Sequence, residues 1–80
     1  MDKELARSLI RAAFRSAAEL QSVLGPLKHQ LRPDEYKKRV LAVASATDAI
    51  NRALLDPALA AFPDLSNEIE ESLMKHGRYL

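Results

Sequence analysis

The chain has 80 residues, no cysteine, four aromatic residues and a formal net charge of +1. That length makes a single domain with a small core, the missing cysteines remove disulfides and thiolate metal sites, and the near-neutral charge argues against a dedicated nucleic-acid binder. The apolar residues are mostly Ala and Leu, a composition that favours helix and leaves strands few β-branched or aromatic residues, so an all-α fold is expected.

The first helix is predicted over about 2–24, with Leu5, Leu9, Ala12, Ala13, Ala17, Leu20, Val23 and Leu24 on one broad face. Gly25-Pro26 then interrupts it: proline lacks the amide hydrogen of the helical ladder and pushes its predecessor out of the α region, which favours a stop. The spacing Leu20, Leu24, Leu27, Leu31 argues for the other outcome, because it keeps helical phase through the break as a kinked helix would.

The second helix is predicted over 33–55. Pro33 suits the first helical position, Asp34 and Glu35 sit at the positive end of the helix dipole, and Leu31 is placed to staple onto Tyr36. Asp56-Pro57 is read as its end and as the cap of a short turn through Pro57-Ala58-Leu59-Ala60-Ala61. This helix carries two apolar rows. A bulky row runs through Tyr36, Val40, Val43, Thr47, Ile50 and Leu54, and an alanine row through Ala42, Ala46, Ala49 and Ala53. One stripe suffices to face a core, so the second implies another neighbour. A third helix is predicted over 64–76, with Leu65, Ile69 and Leu73 as its inner row. Asp64, Glu68, Glu70 and Glu71 crowd its first turns, and Gly77 is placed to close it in a left-handed conformation.

The first two helices, at about 35 Å each, match as an antiparallel hairpin, while a third of about 20 Å is too short to roof the groove between them. The expected architecture is thus an antiparallel hairpin of two long helices plus a shorter C-terminal helix, resembling a three-helix bundle and pairing as a homodimer into a larger helical bundle. The predicted interface is Ala42, Ala46, Ala49 and Ala53, where small side chains permit close backbone approach. Charge supports internal docking. Residues 1–52 hold ten basic against six acidic side chains, and residues 53–80 two against five.

Arg7, Arg11 and Arg15 lie four apart, and Lys37, Lys38 and Arg39 form a second basic cluster. Both are candidate contacts for an anion or a nucleic-acid backbone, although no aromatic interleaves the arginines for base stacking. A helix-turn-helix fits poorly, since the segment after Gly25 is too short for a recognition helix. Glu68, Glu70 and Glu71 have no histidine in register for metal binding, and His29 and His76 are far apart, so no metal or cofactor site is assigned. Without a nucleophile elbow or a phosphate-cradling glycine loop, no catalytic residues are assigned and the chain is not expected to be an enzyme. Thr47 and Asn51 are polar residues in the middle of the second helix that could set register, while Asp48 is expected to pair with Arg52 on the exposed side.

There is no apolar run long enough for a membrane span, and Met1-Asp2-Lys3-Glu4 lacks signal-peptide order, so a soluble cytoplasmic protein without membrane partners is expected. The expected function is a small non-catalytic protein–protein interaction or regulatory module. The alternatives are a nucleic-acid-binding accessory protein using the basic face of the first helix, and a carrier of a small apolar ligand in an interhelical groove.

Overall fold

A computed structural model describes residues 1–80 as helices joined by short turns, with no strand. Helix α1 covers Lys3–Ser22, α2 Leu24–Lys28 and α3 Pro33–Ile50; a π-helical turn, Asn51–Leu55, leads directly into α4, Asp56–Ala61, and α5 covers Leu65–His76. The elements make three rods: α1 with α2, α3 through α4, and α5. No helix is long and apolar enough to cross a membrane.

Local chemistry accounts for the rod ends. Asp2 caps α1, its Oδ1 accepting from the Leu5 N–H at 2.7 Å. Pro33 opens α3 followed by Asp34 and Glu35, and the cap residue Arg32 adds no side-chain hydrogen bond. Gly77 ends α5 at φ 73°, the left-handed conformation that glycine adopts without a Cβ penalty, and its N–H returns to the Leu73 carbonyl at 2.9 Å.

Two prolines behave differently from the sequence expectation. Gly25-Pro26 does not end the first rod: only Val23 separates α1 from α2, the Leu27 N–H reaches back to the Val23 carbonyl, and Gly25 has no positive φ. The rod continues through a one-residue break at Val23, with Leu20, Leu24 and Leu27 half-buried along it and Leu31 half-buried just past its end. Asp56-Pro57 does not end the second rod at Leu55 either. The preceding turn widens so that the Asp56 N–H donates to the Asn51 carbonyl, five residues back, and the helix continues to Ala61. A widened turn relieves the clash between a proline ring and the carbonyl four residues earlier, which is why the chain can stay helical there.

The α1/α2 and α3/α4 rods pack as the expected antiparallel hairpin. Tyr36, Val40, Val43, Thr47, Ile50 and Leu54 are all half-buried, as the inner row of α3 should be. Ala42, Ala46, Ala49 and Ala53 are all exposed, so within one chain this segment has a neighbour on one stripe only.

Six residues are buried: Ala6, Ile10 and Ala13 of α1, Ala58 of α4, and Leu65 and Ile69 of α5. The fully buried Ile10 and Leu65 each contribute about 1.5–3 kcal/mol by leaving water. Leu9, Phe14, Leu55, Leu59, Phe62 and Tyr79 close around this cluster. The predicted inner face of the first helix is corrected by this packing. Leu5, Ala12 and Val23 are exposed, and the buried flank is rotated toward Ala6 and Ile10, where α4 and α5 supply the partners. Leu73, expected inside, is 45% exposed because the last turn of α5 extends past the cluster.

The core therefore occupies one end of the hairpin. The radius of gyration is 14.9 Å within an envelope of 45 × 26 × 14 Å. A compact 80-residue domain would have a radius of roughly 12 Å.

Candidate functional site

The acidic C-terminal helix docks on the basic row of α1. Arg7 donates to Glu68 through Nε at 2.9 Å and Nη2 at 3.1 Å, and it also pairs with Glu4 in the preceding turn. Lys3 pairs with Asp64 at the start of α5. Tyr79 donates its phenolic O–H to the same Glu68 Oε1, at 2.9 Å. These contacts fix the charge states. The hydrogen bonds from Arg7 hold the Glu68 carboxyl below its ordinary range, with the Tyr79 bond adding to the effect, while the Lys3 bond does the same for Asp64. Burial, reinforced by the bond to Glu68, pushes the Tyr79 phenol up.

Arg7 is thus corrected from a candidate anion contact to a structural partner of α5. Arg11 and Arg15 have a different setting. Neither lies in an ion pair, and both line a depression of about 420 Å³ together with Phe14, Ala18, Arg78, Tyr79 and Leu80. The segment after Gly77 is folded back to build it. The Ser72 hydroxyl donates to the Arg78 carbonyl at 2.8 Å and accepts from the Leu80 N–H at 3.0 Å, while Arg11 Nη2 reaches the Leu80 carbonyl at 3.3 Å. Tyr79 meets the edge of Phe14 at 6.0 Å between centroids and 84° between planes, and the Arg11 guanidinium lies 5.5 Å from its ring centre. Arg78 and Tyr79 are the residues sequence reasoning missed. They follow a helix-terminating glycine, and only the tertiary fold brings them to α1.

The second basic cluster does not join this site. Lys37, Lys38 and Arg39 lie in the first turns of α3, beside α2 at the opposite end of the hairpin from α5. Lys38 and Arg39 line a depression with Leu31 and Glu35, whose carboxylate supplies a local countercharge.

The alanine row defines the other candidate surface. At about 100° per residue, Ala42, Ala46, Ala49 and Ala53 sit on one flank of α3. In the antiparallel pair, Ser16, Glu19 and Leu20 of α1 face Ile50 of α3. The groove between them is lined by Ser16, Glu19, Leu20 and Ile50, together with Arg15. Helix α5 packs on the other flank of α1, through Lys3, Arg7 and Ile10. Thr47 lies between the rods, with its buried hydroxyl unpartnered, and Asp48 pairs with Arg52 on the exposed surface.

Comparison with known proteins adds no relative: neither family models, nor curated proteins, nor solved structures gave a significant match.

Proposed function

We propose that the protein is a non-catalytic interaction module that pairs with a second copy through the side of the hairpin bearing Ala42, Ala46, Ala49 and Ala53. The observation that carries this reading is that the whole alanine row is exposed within the chain. Small side chains along a helix face allow another helical pair to approach closely, as in a four-helix core. A symmetric pair is the commonest closed assembly, and a net charge of +1 sets little repulsion against it. Pairing also explains why so extended a molecule manages with six buried residues: the second chain would supply the missing layer.

Light scattering on the purified protein tests the reading, with twice the single-chain mass as the expected result. Ala46→Glu and Ala49→Glu should each yield a helical monomer, since both positions are exposed within the chain. Ala44→Glu, which faces the opposite groove, should leave the mass unchanged. A wild-type monomer up to about millimolar concentration, or a dimer indifferent to both glutamates, defeats the reading.

A further inference from the structure

We infer that the depression formed by Arg11, Arg15 and Arg78 binds a small organic phosphate monoester, with the phosphoryl group among the guanidiniums and the organic part against Phe14 and Ala18. Three observations lead there, and none involves self-association. First, the three arginines are brought to one depression from two distant segments, α1 and the turn after α5; no carboxylate side chain lines it, and the one acceptor the protein sets on them is the Leu80 main-chain oxygen, 3.3 Å from Arg11 Nη2, so that Arg15 and Arg78 keep all their donors for a ligand. Arg11 and Arg15, four apart on one helix, repel each other, and Arg78 adds a third positive charge. Arg7, one turn earlier, is by contrast fully engaged by Glu4 and Glu68.

Second, the donor set suits a phosphoryl group. Guanidinium forks match the oxygens of phosphate in paired hydrogen bonds, and a monoester dianion presents three such oxygens and close to two charges. A phosphodiester carries one charge and two unesterified oxygens, so it leaves this set undersupplied. Third, the walls are apolar where the arginines are not. Phe14 and Ala18 face the depression, and about 420 Å³ falls within the range of small-ligand sites. Inorganic phosphate alone would leave that wall unused.

The test is a two-dimensional NMR titration of the ¹⁵N-labelled protein with phenyl phosphate, and with inorganic phosphate, dimethyl phosphate and benzoate as comparators. Saturable shifts should be confined to residues 11–18 and 78–80, with phenyl phosphate about tenfold tighter than dimethyl phosphate or benzoate and tighter than inorganic phosphate. Affinity should weaken as the pH falls below about 6, where the monoester takes up its second proton. Arg15→Ala and Arg78→Ala, both at exposed positions, should each weaken binding about tenfold with unchanged helical circular dichroism. Lys37→Ala, at the far end of the hairpin, should bind as wild type. The inference fails if phenyl phosphate shows no saturation at about 10 mM. It fails equally if benzoate or dimethyl phosphate matches it, if Arg78→Ala leaves affinity intact, or if a single-stranded oligonucleotide binds the arginines more tightly than the monoester does.

Discussion

Arg7 grips Glu68 with both arms of its guanidinium, at 2.9 and 3.1 Å, across 61 residues of sequence. The pair is the polar fastening between α1 and α5, and Tyr79 fastens the chain's last turn to the same carboxylate. Replacing Glu68 by Gln should lower the melting temperature by roughly 2–5 °C, because the charge is lost while the shape is kept. Tyr79→Phe should cost about 1 kcal/mol and loosen the segment after Gly77. In a double-mutant cycle the Glu68 and Tyr79 changes should couple, because both act on one carboxylate, and additive melting shifts would show that they do not.

Acid should release this fastening. The folded Glu68 and Asp64 carboxyls hold their protons less tightly than in the unfolded chain, so their stabilisation is complete above the ordinary values of 4.5 and 3.8. It is lost as the pH falls through those values toward the folded ones. Tyr79 has the opposite sign: its folded value is raised, so its stabilisation is present below the ordinary 10.0 and is lost as the pH rises through the folded value. Thermal melts across pH should show both flanks. Glu68→Gln should flatten the acid flank, and an unchanged acid profile in that variant would assign the loss to other groups.

Thr47 offers a stabilising change. Its hydroxyl is buried between the rods without a hydrogen-bond partner, and a buried polar group left unpaired costs about 1–3 kcal/mol. Thr47→Val keeps the branched shape and removes the hydroxyl, so urea unfolding should show a gain of about 1 kcal/mol. A loss of stability would mean that the hydroxyl has a partner in solution.

What was legible in the sequence was local. The start at Pro33-Asp34-Glu35 and the end at Gly77 depend on residues within a turn of the backbone they control, and each stands where its chemistry places it; Asp2, expected as the first residue of its helix, is instead the cap of α1. The charge split between the two parts of the chain anticipated that the acidic helix would dock on α1, but not that Glu68 would be the hub. Residue-by-residue burial was less legible. An amphipathic helix with apolar residues around most of its girth has no unique inner face until its neighbours dock, and α4 with α5 selects Ala6 and Ile10 over Leu5 and Ala12. The continuation past Pro57 is not legible locally: the rule against proline in helices assumes a regular preceding turn, and the wider turn at Asn51–Leu55 removes that condition. The arginine depression needed the fold itself, since no local pattern relates Arg78 to Arg11.

Five of the six buried residues form one cluster where α1 meets α4 and α5, the sixth, Ala13, follows three residues beyond Ile10 on α1, and the far end of the hairpin has none. Cooperative unfolding is anchored by that cluster, so backbone amides near it should open only with the whole molecule, while those around Gly25-Pro26 open in small local events. The protein is in effect a lever with one fixed end, its far end held only by the half-buried side chains between α2 and α3.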